Sequence, residues 1–125
     1  MVDFRNREVP TNVHSIVALM PSISESIIEM GAADKLIGTP EYTNIPLNIK
    51  KKIKVIGPFN RLSTETIVLL HPDVVIASLD GNDKRVIEKL EEFKIPVVLI
   101  DTHSLKNIVR SHEIIANLKQ FRIIF

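Results

Sequence analysis

The run Leu69-Leu70-His71-Pro72-Asp73-Val74-Val75-Ile76-Ala77 constrains the fold of this 125-residue chain more than any other stretch. A helix has to stop there and a buried strand has to start. Proline has no N–H to continue a helical ladder, and its ring biases the residue before it toward extended backbone. Val-Val-Ile-Ala, apolar without alternation, reads as a strand covered on both faces. A second joint precedes it. Leu19-Met20-Pro21-Ser22-Ile23-Ser24-Glu25 follows another apolar run, and Ser22 and Glu25 have the spacing of a capping box that opens a helix. The strand-turn-helix unit therefore recurs.

The remaining periodicities extend that pattern. Val13 to Leu19 is expected as a first strand, and Ser22 to Met30 as a helix with Ile23, Ile27 and Met30 on one face and Gly31 as its C-cap. Leu36-Ile37-Gly38 and Lys54-Val55-Ile56 read as short strands, and Thr39 to Lys52, with Pro40, Pro46 and Tyr42, as an irregular connection. Ser63 to His71 predicts a helix burying Ile67 and Leu70. Asp80-Gly81-Asn82 supplies turn and N-cap chemistry for a helix whose stripe is Val86, Ile87, Leu90 and Phe93. Val97 to Ile100 is a fifth strand, and from Ser104 a helical pattern runs long. The expectation is an α/β, Rossmann-like three-layer unit: a mostly parallel sheet of five strands, covered by helices on both faces and ending in a long helix. In such sheets ligands collect at the carboxyl ends of the strands. Here those ends are Met20-Pro21-Ser22, Thr39 to Tyr42, Gly57 to Asn60, Ser78 to Asn82 and Asp101 to Ser104.

Composition removes several function classes. Lys and Arg number 16 against 15 acids, a net charge of +1, so the basic stripe that nucleic-acid binding needs is missing. The run Lys50-Lys51-Lys52-Ile53-Lys54 is read as the solvated end of a short helix or loop. With no cysteine there are no disulfides, thiolate nucleophiles or cysteine metal sites. No apolar run reaches the roughly 20 residues of a membrane span, and Met1 to Glu8 has no signal-peptide pattern. Gly31, Gly38, Gly57 and Gly81 are too scattered for a nucleotide-phosphate loop, and His14, His71, His103 and His112 have no metal-ligand spacing. Ser22 follows Pro21 rather than standing in a nucleophile elbow, so its hydroxyl is expected as a helix cap. No residue set reads as an enzyme or calls for a cofactor.

Several stretches taken in order are similar to one known family: Val2-Asp3 to Val9-Pro10, Ile16-Val17-Ala18-Leu19-Met20-Pro21-Ser22 to Glu25, and Gly31 to Gly38. Val55-Ile56-Gly57-Pro58-Phe59-Asn60, Thr64 to Ala77 and Ile95-Pro96-Val97-Val98 complete the set. The chain resembles the amino-terminal lobe of the periplasmic substrate-binding proteins that deliver cobalamin, ferric siderophores or haem to ABC importers.

The resemblance implies a lobe over residues 1–104, a connecting helix beginning over 105–125, and a cleft closed by a second lobe that the chain lacks. It implies a metal-chelate or corrinoid ligand, an ABC permease in the membrane as partner and an extracytoplasmic location. Tyr42 and Phe59 look like the family's aromatic cleft positions, where a flat ring stacks on a large ligand; ordinary packing is the alternative. Met20, Pro21, Ser22, Asn60, Ser78, Asp80 and Asn82 fall on the ligand-facing loops, with turn and cap chemistry as the alternative. Glu65 matches the glutamate that docks into an arginine pocket of the permease, although an acid in a first helical turn is also favoured by the helix dipole. The apolar ending Ile123-Ile124-Phe125 points to packing against another surface such as a second copy, or to a frayed or frameshifted tail, and a separate second lobe is the other partner expected. A stand-alone interaction or sensor module without a transport role is the competing expectation.

Overall fold

The computed structural model describes residues 10, 13–101, 113 and 114. Along the chain run β1 (Ile16–Ala18), α1 (Pro21–Glu29), β2 (Leu36–Thr39), α2 (Leu47–Lys50), β3 (Lys54–Val55), α3 (Thr64–Leu69), β4 (Val74–Ser78), α4 (Lys84–Glu92) and β5 (Val97–Ile100). The five strands form one sheet in the order β3-β2-β1-β4-β5, and every pairing is parallel.

Strand residues alternate between two apolar layers. Ile16, Ala18, Val74, Ile76, Val98 and Ile100 pack with Ile23 and Ile27 of α1 and with Ile45 and Ile53 on one face. Val17, Leu19, Val75, Ala77, Val97 and Leu99 pack with Ile67 of α3 and with Ile87 and Leu90 of α4 on the other. Both faces are thus covered, which is why the strands carry apolar residues at every position rather than every second one. Ile27, Ile67 and Leu90 are each 0% exposed, and burying one such side chain is worth about 1.5–3 kcal/mol.

The Leu69–Ala77 joint is built as its residues require. α3 ends at Leu69, His71 turns back through a left-handed φ of 50°, and Pro72 is buried ahead of β4. Asp73 then fastens β4 to the start of β1: its carboxylate accepts from the N–H groups of His14 at 2.8 Å and Ser15 at 3.2 Å, while its own N–H donates to Ser15 Oγ at 2.8 Å. Gly31 at φ 78° and Lys94 at φ 63° follow α1 and α4 in the same way. Ala32 N–H donates to Ile27 O and Ile95 N–H to Leu90 O, the long-range bond of a Schellman ending in each case.

Local details differ from the sequence expectations at identifiable places. β1 is shorter than Val13–Leu19, and the Thr39–Lys52 connection contains the short helix α2. α1 starts one residue earlier than expected, with Met20 as N-cap, Pro21 in the first turn and no side-chain cap bond. Proline's fixed φ and missing N–H suit the first helical position. Ser22 is therefore inside the helix and the Ser22–Glu25 capping box does not form. The N-cap of α4 is Asp83, one residue beyond the Asp80-Gly81-Asn82 stretch expected to supply it: its carboxylate accepts from Arg85 N–H at 2.9 Å and pairs with the Arg85 guanidinium at 3.0 Å. That side-chain bond from Arg85 leads the causes that hold the Asp83 carboxyl below the usual aspartate range. Phe93 leaves the buried stripe: it is the C-cap of α4, 55% exposed. The long helix expected after Ser104 lies outside the described residues, as do the lobe boundary at 104 and the Ile123–Phe125 ending; Glu113 and Ile114 are helical, and Ile114 is buried in the first layer.

Candidate functional site

Because all five strands are parallel, their carboxyl ends and the loops that follow share one edge. The chain runs from β1 to β2 to β3 in one direction, then returns through α3 on the opposite face to β4 and β5. The direction reverses between β1 and β4, which places a crevice between the loops after those two strands.

Asn82 spans that crevice. Its Oδ1 accepts from Ser78 N–H at 2.8 Å, and its Nδ2 donates to the Leu19 carbonyl at 2.9 Å, 63 residues away in sequence. Ser78 Oγ accepts from Gly81 N–H at 3.1 Å, closing the turn. A Cβ on Gly81 would stand 2.9 Å from Met20 Cε and 3.1 Å from Ser78 Oγ, so the β1 and β4 loops meet closely here and a larger residue would displace the end of the Met20 side chain. Met20 is half-buried against the first layer, whereas Asp80 and Ser22 are exposed and Pro21 is partly covered. The polar groups of Ser78 and Asn82 thus build the floor of the edge.

The loops after β2 and β3 form an outer tier. Ile56 N–H donates to Thr39 O and Glu41 N–H to Gly57 O, both at 2.9 Å, so the two loops run side by side. Gly57 has φ 106°, and a Cβ there would lie 3.2 Å from the Arg61 carbonyl; the turn carrying Phe59 and Asn60 needs a glycine at its base. Phe59 is 47% exposed and Asn60 is exposed. Tyr42 is 96% exposed, and its backbone is left-handed at φ 60°. For a bulky side chain that conformation costs about 1–2 kcal/mol, and nothing in the ring's own packing offsets it.

Beneath Tyr42 lies a chain of hydroxyls. Ser24 Oγ is 2.7 Å from Thr39 Oγ1, Thr39 Oγ1 is 2.9 Å from Thr43 Oγ1, and Thr43 Oγ1 donates to the Pro40 carbonyl at 2.7 Å. Sequence reasoning passed over these residues. One signal was available: Ser24 adjoins Ile23 and precedes Ile27 on the apolar face of α1, where a hydroxyl needs a buried partner.

Glu65 is exposed in the first turn of α3, the helix that follows the β3 loop. With Thr64, Val68, Leu69, Lys89 and Phe93 it lines a groove of about 320 Å³ between α3 and α4. Ser63 Oγ caps that helix by accepting from Thr66 N–H at 3.2 Å. Among the described residues no three His, Asp or Glu side chains converge as metal ligands would, and no helix is long and apolar enough to cross a membrane.

The architecture is shared with solved structures. The periplasmic haem-binding protein RhuT from Roseiflexus sp. RS-1 superposes with a TM-score of 0.75 at 23% identity, over 87% of this chain and 42% of that one. The periplasmic vitamin B12-binding protein BtuF of Vibrio cholerae gives a TM-score of 0.72 at 26% identity, over 88% of this chain and 44% of its own. In sequence, a vitamin B12-binding protein of Vibrio campbellii is 36% identical over 98 residues, covering 78% of this chain and 35% of the relative. One from Vibrio vulnificus is 32% identical over 96 residues, covering 77% of this chain and 35% of the relative. The chain thus spans about a third of the length of these curated relatives. The family model for periplasmic binding proteins matches residues 16–120, which takes in every strand of the sheet and every loop of its carboxyl edge. With that match, the parallel sheet and its reversal between β1 and β4, the chain belongs to the periplasmic binding protein family.

Proposed function

We propose that this chain is the amino-terminal lobe of the substrate-binding component of an ABC importer, and that it takes up cobalamin, haem or a ferric siderophore without catalysing a reaction. The observation that carries the reading is Tyr42, an aromatic ring 96% exposed on a left-handed backbone at the edge where open α/β sheets bind ligands. Phe59 on the adjoining loop offers a second flat surface. Two rings at one edge suit a large planar or amphipathic molecule. The relatives named for vitamin B12 and the structural neighbours named for haem support that ligand class.

In this reading Tyr42, Phe59 and Asn60 meet the ligand from the outer tier, and Met20, Pro21, Ser22, Ser78, Asp80 and Asn82 form the side nearer β1 and β4. Glu65 is the docking acid for an arginine of the membrane permease, on the extracytoplasmic side. The opposite wall of the cleft comes from a second lobe or a second copy of the chain.

Thermal unfolding against cyanocobalamin, haemin and a panel of ferric siderophores tests the proposal. A ligand at 100 times its dissociation constant adds about 2.7 kcal/mol of stability. The expected result is a rise in Tm with one of these ligands that shrinks in Tyr42→Ala and Phe59→Ala. No shift with any ligand, or undiminished shifts in both variants, would overturn the assignment.

A further inference from the structure

The hydroxyl chain under Tyr42 has a direction. A hydroxyl carries one proton, and that of Thr43 goes to the Pro40 carbonyl at 2.7 Å. Thr43 must therefore accept in its 2.9 Å contact with Thr39. Thr39, its proton given to Thr43, must accept from Ser24 at 2.7 Å. Donation runs from Ser24 to Thr39 to Thr43 to the Pro40 carbonyl, from α1 through the end of β2 into the loop. Exposure along it is 0% at Ser24, 3% at Thr39 and 7% at Thr43. A fully satisfied polar network in a dry setting is stiff, because every broken link strands a buried donor or acceptor.

Its last link, Thr43 to Pro40, closes over the turn that contains Tyr42. A left-handed bulky residue persists only where its surroundings over-determine it. The ring, in solvent, supplies no such restraint; the flanking hydroxyl chain does, together with the Glu41-to-Gly57 backbone bond. We propose that Ser24, Thr39 and Thr43 are positioning residues for ligand recognition, holding the Tyr42 turn in its left-handed form so that the phenol ring is presented before the ligand arrives. A turn held in advance gives up less backbone freedom on binding, which strengthens the complex without any added contact. The proposal rests on the reading that Tyr42 meets the ligand.

The chain contains one tyrosine and no tryptophan, so intrinsic emission reports the Tyr42 ring alone. Without ligand, Thr43→Val and Thr39→Val should remain folded by circular dichroism while the fluorescence anisotropy of Tyr42 falls, and Thr43→Ser should restore it. With cyanocobalamin and haemin as probes, Thr43→Val should weaken the one that binds about tenfold, the upper range for losing an aromatic contact. In a Tyr42→Ala background the same change should have no further effect. Unchanged anisotropy in folded valine variants overturns the proposal, and so does an equal loss of affinity with and without Tyr42. If the parent chain binds neither probe, the ligand reading fails while the anisotropy result still decides whether the hydroxyls hold the ring. Should Thr43→Val not fold, Ser24→Ala at the far end of the chain gives the same readouts.

Discussion

Replacing Asn82 by alanine should destabilise the domain by about 2 kcal/mol, through the junction of β1 and β4 rather than through any loss of core. Two bonds are removed, one from Ser78 N–H at 2.8 Å and one to the Leu19 carbonyl at 2.9 Å. A neutral bond contributes about 0.5–1.5 kcal/mol net, and leaving its buried partner unmatched costs about 1–3 kcal/mol. Both bonds are part-buried, so water reaches some of the vacated groups, and the sum settles near the middle of that range. Asn82→Asp separates the two halves of the clamp. It keeps the acceptor for Ser78 but turns a carboxylate toward the Leu19 carbonyl, where no donor remains. At neutral pH it should be at least as harmful as alanine. In acid the protonated group can donate again, so its pKa is raised in the folded state. The restored stability is then present below the ordinary carboxyl value and lost as pH rises through the raised one. Urea unfolding followed by far-UV circular dichroism reads the effect as a lower midpoint at constant slope. A loss under about 0.5 kcal/mol for Asn82→Ala, within the range of an ordinary surface substitution, would refute the reasoning. Equal losses for Asn82→Asp in acid and at neutral pH would refute it as well.

Asp73→Ala removes the carboxylate that accepts from His14 and Ser15 and should cost about 1–2 kcal/mol, at the low end for charge-assisted bonds because the site is exposed; an unchanged urea midpoint would show that the β1–β4 fastening is carried elsewhere. The Asp83 carboxyl is held low chiefly by the Arg85 side chain, so the N-cap contribution to α4 is present above the ordinary aspartate pKa and fades as pH falls through the depressed one. Arg85→Ala should move the Asp83 titration, followed by NMR, upward toward the ordinary value, and an unmoved midpoint would assign the depression to the backbone bond instead.

What could be read from the chain alone follows from near neighbours. Pro21, Pro72 and Pro96 mark boundaries because each removes a donor and restricts the residue before it. The unbroken apolar runs at 74–77 and 97–100 mark strands buried on both faces. These signals suffice for the α/β class, the parallel sheet and the edge on which the candidate site lies. Caps are less legible, because cap chemistry at one residue does not exclude a helix start at its neighbour. At Ser22 the proline one residue earlier starts the helix. At Asn82 the next residue, Asp83, finds Arg85 within reach.

Tertiary structure alone decided what the polar side chains on the edge do. Asn82 is committed to a carbonyl 63 residues away, and the hydroxyls of Ser24 and Thr43 meet through Thr39. No local pattern encodes such pairings, because a buried donor takes whichever acceptor the packed layers bring beside it. The sign of φ at Tyr42 belongs to the same class: an unfavourable backbone state has no signature in composition and exists only while the surrounding contacts hold it.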